Sequence, residues 1–427
     1  MTYFLTIALF AILLALEIPI AVAIGVMTIT VFFVGDMIPL TVVPQYLYEN
    51  AANYGLIAAP LFILAGQFME KGGTSHRLVD FALSLVGRFR GGLSYATIVA
   101  SMFMGGISGS AIADTSAIGS ITVPAMVNRG YSRGFAAGLL ALCGAIGIII
   151  PPSIPMIVLA IICNQSVAKL FMGGLIPGLL AGFSAMAVTF YLAKKHGLPQ
   201  EAPAGFPVIK STFLKALPAL LIPVFIVVGI LGGILTITEV SAAVALYSFL
   251  IGKFWYKELR WKDVPGMLVN TAVMTSSVLI VLAFCGVLAW LVIYEQIPEQ
   301  IAEFLMSVTT NKILLLLIIT LILTCLGMFL DIIPNLMIVA PVLMPAIEKL
   351  GIDPIFFGVF MVYVLGLGLA TPPVGVTLFI SCALAKATYK DALPYVLYFI
   401  GAASLLALLF IFEPGFMTWL PSYMFDR

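Results

Sequence analysis

Apolar runs long enough to cross a bilayer alternate along this chain with short clusters of charge, and the runs lack the every-second-residue alternation of half-buried strands. In hydrocarbon every backbone polar group has to be paired inside the protein, so runs of this kind predict helices rather than a barrel. A hydrocarbon core about 30 Å thick takes roughly 20 apolar residues per helical crossing. The 427 residues therefore have room for about a dozen crossings or partial crossings. The first run, residues 3–33, is interrupted at Glu17-Ile18-Pro19. Met1–Leu16 lacks a basic leader and a cleavage signal, and is expected to be a retained first span. A loop with Asp36 and Glu49 follows, then a second span at 55–69.

The charges between runs set the topology. With the N-terminus inside, the clusters Lys71–Arg90, Arg129/Arg133, Lys194–Lys215, Lys253–Lys262 and Lys386/Lys390 all fall on one face, leaving only Lys169, Lys312, Lys349 and Arg427 opposite. The positive-inside rule makes the crowded face cytoplasmic and predicts a periplasmic C-terminus. Composition agrees: 62% of residues are hydrophobic and 9% charged, against roughly 25% charged in soluble domains. A net charge of +1 gives no nucleic-acid signal. The five cysteines lie inside apolar runs without a CxxC pair and read as small packing residues.

Two segments depart from simple crossing. Residues 91–128 start and end on the basic face, and residues 313–348 start and end on the other. Each is interrupted midway, at Gly105-Gly106-Ile107-Ser108-Gly109-Ser110 and at Asp331-Ile332-Ile333-Pro334-Asn335. They predict re-entrant helical hairpins, with pairs of ordinary short spans as the alternative from spacing alone. The two regions align at one offset of 221 residues: Gly106 with Gly327, Pro124-Ala125 with Pro345-Ala346, Gly130 with Gly351, Phe135 with Phe356, Gly147 with Gly368, and Pro151-Pro152 with Pro372-Pro373. Since one hairpin opens inward and the other outward, this is an inverted-topology repeat, a signature of secondary transporters whose sites lie at the repeat interface.

A long apolar helix broken in its middle follows each hairpin, at Gly147-Ile148-Ile149-Ile150-Pro151-Pro152-Ser153 and at Gly368-Leu369-Ala370-Thr371-Pro372-Pro373-Val374-Gly375. A prolyl pair removes two backbone donors and frees carbonyls a turn earlier. At membrane depth such backbone persists only where buried in protein or lining a cavity. A hard cation such as sodium suits those carbonyls; a kink satisfied by neighbouring helices is the plainer alternative.

These features, with Ala59-Pro60-Leu61-Phe62, the Gly105–Asp114 tip, Ile150-Pro151-Pro152-Ser153, Thr236-Ile237-Thr238-Glu239 and Ala370-Thr371-Pro372-Pro373-Val374-Gly375, resemble the large membrane subunit of tripartite ATP-independent periplasmic (TRAP) transporters over essentially the whole chain. The resemblance implies an all-α polytopic inner-membrane protein with an inverted-repeat elevator design. It implies a small four-helix membrane subunit, a periplasmic substrate-binding protein and sodium-driven uptake of an organic acid. On this reading residues 1–90 are N-terminal scaffold spans and a connecting arm. Residues 91–167 are the first half of the transport unit, with the hairpin at 91–128 and the broken helix at 134–165. Residues 168–312 are scaffold spans and a second arm. Residues 313–389 are the second half, with the hairpin at 313–348 and the broken helix at 355–388. Residues 390–427 are a last span and tail. The loops Lys71–Arg90 and Trp261–Val264 flank the expected connecting arms.

One sodium ion is expected where the first hairpin tip meets the first broken helix, held by Gly106, Gly147, Ile150 and Ser153, mostly through carbonyls. Adding the offset gives a second ion at Gly327, Gly368, Thr371 and Val374, so at least two ions per cycle are expected. Substrate is expected between the tips at Ser110 and Asp331, with Ser153 and Asn335 nearby. Half-helix N-termini favour an anion. Asp331 reads either as a ligand for substrate hydroxyls or an ion, or as the cap of the following helix. Asp114 reads mainly as the N-cap of the second hairpin arm, Glu17 as a scaffold or subunit contact, and Arg88 and Arg90 as topology and headgroup residues. Sialic acid is the favoured substrate, because a Ser/Asp pair suits a hydroxyl-rich acid, with C4-dicarboxylates next. Three rivals remain. Gly106-Ile107-Ser108-Gly109 fits the GxSG string of rhomboid-like proteases, but His76 and His196 lie in predicted loops, far from the base position a serine nucleophile needs. A channel fits one chain with two inverted repeats poorly. A stand-alone sodium–carboxylate carrier of similar design is the nearest alternative.

Overall fold

The computed structural model describes residues 9–10, 12–13, 16, 18–35, 41–52, 54–309 and 311–425. Glu17 and Asp36 lie outside them. The named helices are α1 (Ile20–Gly35), α2 (Val42–Ala51), α3 (Ala58–Lys71), α4 (Thr74–Val86), α5 (Gly92–Ser108), α6 (Ala111–Asn128), α7 (Arg133–Gly147), α8 (Ile154–Ile162), α9 (Val167–His196) and α10 (Phe206–Leu231). They continue as α11 (Ile237–Leu250), α12 (Val264–Tyr294), α13 (Ile297–Val308), α14 (Lys312–Phe329), α15 (Ile332–Lys349), α16 (Pro354–Ala370), α17 (Val376–Ala385), α18 (Tyr389–Phe412) and α19 (Gly415–Phe425). Among the described residues no strand forms, and the sole ladder-type pairing is an isolated bridge between Arg90 and Gln200. Among the described residues seven helices are long and apolar enough to cross a membrane, or eight if α2 and α3, bent by 50°, count as one span.

The two hairpins are α5–α6 and α14–α15, and their arms coincide residue for residue at the 221 offset, apart from the first residue of α14. Gly109, in the left-handed region at φ +61°, turns the first tip, and Ser110 caps α6 by accepting from the Ala113 amide at 3.4 Å. The broken helices are α7–α8, separated by residues 148–153, and α16–α17, separated by 371–375. Both breaks carry a cis prolyl pair, Pro151-Pro152 and Pro372-Pro373. The first broken helix ends at Ile162 and the second at Ala385, each three residues short of the sequence expectation. Asn164 and Lys386, both at positive φ, turn the chain there.

The halves interlock. Hairpin one packs on α7 and on α17, the second piece of the other broken helix, while hairpin two packs on α16 and on α8. Helix α16 is the axis of the core, buried at every position from Ile355 to Ala370. Its Tyr363 hydroxyl donates to the Ala403 carbonyl at 2.9 Å. By contrast α10 and α11 turn Leu221, Val224, Phe225, Val228, Leu246 and Leu250 outward, as helices facing hydrocarbon do.

The amphipathic helix before each hairpin is also repeated. Helix α4 spans 74–86 and α13 spans 297–308, within two residues of the offset. Helix α13 is thus the counterpart of α4 and lies inside the 168–312 segment expected to hold the second arm, while residues 261–263 form a single turn leading into α12. Ile297 and Ile301 pack inward, and Glu299 on the outer side pairs with Lys349 at the end of hairpin two. The first arm is anchored by Arg77, which meets Glu258 at 2.8 Å and lies 3.9 Å above the Tyr256 ring.

Candidate functional site

The hairpin tips converge on two adjoining cavities that share Ile63, Ser110, Ala113, Ile154, Val273 and Met274. One, of about 350 Å³, reaches Asp331 and Ile332 at the second tip. The other, of about 370 Å³, runs past Ser108 and Gly66 to Gln67, Glu70, Lys71 and Asn270. Helices α3 and α12 form the facing wall, joined by a hydrogen bond from Gln67 to Thr271 at 3.0 Å. Ser110 and Asp331, 221 residues apart, thus open onto one space. Asp331 occupies the N-cap position of α15 without the side-chain capping bond that Ser110 makes on α6. Lys71 brings a cation to the far end of this space.

Ser153 and Asn335 stand behind the wall rather than on it. Ser153 is fully buried and caps α8, accepting from the Met156 amide at 3.3 Å. Asn335 is 1% exposed and donates to the carbonyls of Leu326 and Leu330 at 3.3 and 3.1 Å. Both side chains bond to backbone at the helix ends, and neither lines the two cavities. Arg88 and Arg90 lie outside the lining of both cavities.

Asp114 also departs from expectation. The cap of α6 is Ser110, and Asp114 is one turn further in, with no exposure. Its Oδ1 accepts from the Ser108 hydroxyl, whose Oγ in turn accepts from the Ser110 amide at 3.2 Å. Its Oδ2 has no partner and points at the first helix break, where a Cβ on Gly147 would lie 2.8 Å from it. Ser108, the serine of the GxSG string, is therefore bound to a carboxylate and not to a histidine.

The expected ion ligands come together in two clusters. In the first, hairpin and broken helix touch backbone to backbone at Gly105 and Gly147: a Cβ on Gly105 would lie 2.4 Å from the Gly147 Cα and oxygen. Gly106, the residue expected there, instead faces Pro223 and the Pro151 carbonyl, at 3.2 and 3.5 Å from its Cβ position. Ile150 is buried against Gly178. In the second cluster Gly327 and Gly368 make the corresponding contact, 2.6 Å for a Cβ on Gly368. The halves thus cross one residue out of register, which is why the offset alone selected Gly106. Thr371 turns its hydroxyl back to the Leu367 carbonyl at 2.7 Å, and its amide to Gly368 at 2.9 Å. The Val374 carbonyl already accepts from the Tyr389 hydroxyl. Each tip is also bonded to its break, Ile154 amide to Gly109 carbonyl at 3.4 Å and Gly375 amide to Met328 carbonyl at 3.1 Å.

The donors at both crossings are oxygens, and no cluster of three or more His, Cys, Asp or Glu exists among the described residues. That set fits a hard monovalent cation, and the orphaned Asp114 oxygen is the atom that most needs one. Asp114, Gly105 and Ser108 are the residues the sequence reading missed as members of this cluster. The signal that would have found Asp114 is an acid one turn inside an otherwise apolar hairpin arm.

Two hairpins and two broken helices meet around a largely apolar space that carries Ser110 and Asp331 on its lining, the arrangement expected of a secondary transporter. Residues 7–416 match the family described as tripartite ATP-independent periplasmic transporter, DctM component, and the chain belongs to that family. It is 37% identical over 403 residues to the isethionate TRAP transporter permease protein DctMQ of Oleidesulfovibrio alaskensis, covering 94% of this chain and 63% of that longer protein. It is 35% identical over 428 residues to the C4-dicarboxylate TRAP transporter large permease protein DctM of Vibrio cholerae, covering 95% and 94%. It is likewise 35% identical over 401 residues to the 2,3-diketo-L-gulonate TRAP transporter large permease protein YiaN of Escherichia coli, covering 94% of each. The crystal structure of the Alcanivorax borkumensis YdaH transporter superposes with a TM-score of 0.63 at 15% identity over 88% of this chain and 89% of that one, a likeness of fold.

Proposed function

We propose that this chain is the translocating subunit of a sodium-coupled uptake system for a small organic acid in the bacterial inner membrane. The observation that carries the reading is the pair Ser110 and Asp331, related by the repeat and facing one cavity. The acid sits between the tips, its anionic group held by half-helix N-termini and hydroxyls and its hydroxyl or second acidic group turned toward Asp331. At least two sodium ions occupy the crossings at Gly105/Gly147 and Gly327/Gly368 and complete the binding face. The hairpins and broken helices move as one body against α1–α3, α9–α12 and α18, an elevator whose hinges are the amphipathic arms α4 and α13. A small four-helix membrane subunit enlarges the fixed scaffold, and a periplasmic binding protein delivers substrate to the face opposite the basic loops. The N-terminus is cytoplasmic and the C-terminus periplasmic.

The relatives named above carry dicarboxylate, diketo-gulonate and isethionate in their names. C4-dicarboxylates therefore come first as substrates to test, with sialic acid, which the Ser/Asp pair favoured from sequence, tested beside them. The experiment is uptake into proteoliposomes holding this chain, its small subunit and its binding protein, with an imposed sodium gradient. Uptake that requires both sodium and the binding protein supports the reading. Uptake without a binding protein supports the stand-alone carrier instead, and sodium-independent uptake overturns the coupling.

A further inference from the structure

Asp114 and Asn335 are 221 residues apart, so each is the other's counterpart in the repeat. Each lies four residues past the N-cap of its hairpin's second arm, Ser110 and Asp331. Both are buried, at 0% and 1% exposure. Each uses one end of its side chain to hold its own tip: Asp114 Oδ1 accepts from Ser108, and Asn335 Nδ2 donates to Leu326 and Leu330. Each then leaves one oxygen without a partner, Asp114 Oδ2 and Asn335 Oδ1. Buried oxygens that lack a partner are few in a folded chain and cost stability unless something binds them. That the two fall on equivalent positions of an inverted repeat marks them as a matched pair of ligand atoms.

We propose that Asp114 Oδ2 and Asn335 Oδ1 are equivalent side-chain ligands of the two monovalent cations, and that the repeat has made the two sites electrically unequal. This rests on the sodium-coupled reading above and deepens it. Asp114 brings a full negative charge and neutralises its ion. Glu70, on the wall of the adjoining cavity, adds to the negative potential on that side. Asn335 brings an amide dipole and leaves the charge of its ion uncompensated. The first ion is accordingly the tightly held one. The second adds positive charge to the loaded transport unit, which is what lets the membrane potential act on the transport step.

The test is sodium binding to the purified chain in lipid nanodiscs, by calorimetry with choline replacing sodium, for the native protein, Asp114→Asn, Asn335→Asp and the double exchange. The native protein is expected to bind two ions with separated affinities. Asp114→Asn weakens the tighter event about tenfold or more, since a buried charge loses its partner. Asn335→Asp tightens the weaker event by a similar factor, a gain that loss of packing does not produce. The double exchange restores one tight and one weak event. Folding is checked by circular dichroism, and if Asp114→Asn fails to fold, Asn335→Asp alone decides. Unchanged affinities in folded variants of a protein whose uptake needs sodium overturn the pair assignment and leave the transport reading standing. Native uptake that ignores sodium overturns the transport reading itself.

Discussion

Gly105→Ala places a methyl group where hairpin one crosses the first broken helix. Its carbon would lie 2.4 Å from the Cα and oxygen of Gly147, whereas carbon atoms settle at about 3.5–4.0 Å. The obstacle is backbone on both sides, so no side chain can turn away, and the helices must separate by about 1 Å. Overpacking of this kind costs about 1–3 kcal/mol, against which alanine returns about 1 kcal/mol in helix propensity. The expected net loss is therefore up to about 2 kcal/mol, with the ion cluster displaced as well. Gly368→Ala, 2.6 Å from Gly327, should behave alike, whereas Gly401→Ala, with nothing within 4 Å, supplies the propensity gain without the clash. The assay is thermal unfolding in detergent beside sodium-driven uptake. The two crossing variants should melt a few degrees lower and lose uptake, and the control should do neither. If Gly105→Ala matched Gly401→Ala in both, the close crossing would be wrong.

Three further outcomes follow from the same geometry. Ser110→Ala and Asp331→Asn should each depress uptake; the first also removes the cap of α6, at a cost of about 1 kcal/mol, while the second changes stability by less because it fills no packed core; uptake at native rates would remove them from the site. Tyr363→Phe deletes one buried hydrogen bond to Ala403 and should cost about 1 kcal/mol, read as a lower unfolding temperature with uptake kept. The Lys349 ammonium beside Glu299 holds that carboxyl below its usual range. A depressed carboxyl contributes stability above its ordinary pKa and loses it as pH falls through the lowered value. Protection of residues 297–308 against hydrogen exchange, corrected for the intrinsic pH dependence of the rate, should therefore fall only in acid, and Glu299→Gln should abolish that dependence.

The hairpins, the breaks and their offset were legible because glycine and proline break helices wherever they stand, and their spacing survives the divergence of the two halves. Ser110 and Asp331 were legible for the same reason, as residues at the breaks. What escaped was set by packing between segments distant in sequence. The one-residue slip that makes Gly105 rather than Gly106 touch Gly147 is a property of how two helices cross, and no spacing along either records it. Ser153 and Asn335 were legible as polar residues near a break; their hydrogen bonds to backbone, which set them behind the cavity wall, appear only once the tips are folded. Asp114 looked like a cap because it lies near a helix start, yet Ser110, four residues earlier, already fills that position. The second amphipathic helix, at 297–308, lies within the 168–312 segment expected to hold the second arm, and adding 221 to residues 74–86 points to it.

The central claim is that both hairpin tips face one substrate. Its most direct measurement is maleimide labelling of Ala113→Cys and Ile333→Cys, cavity-lining neighbours of Ser110 and Asp331, in the assembled transporter with the accessible Cys163 and Cys325 replaced. Substrate with sodium should slow labelling at both positions together, and neither should slow with substrate in sodium-free buffer. Protection at one position alone, or labelling at both that substrate leaves unchanged, would contradict a shared site between the tips.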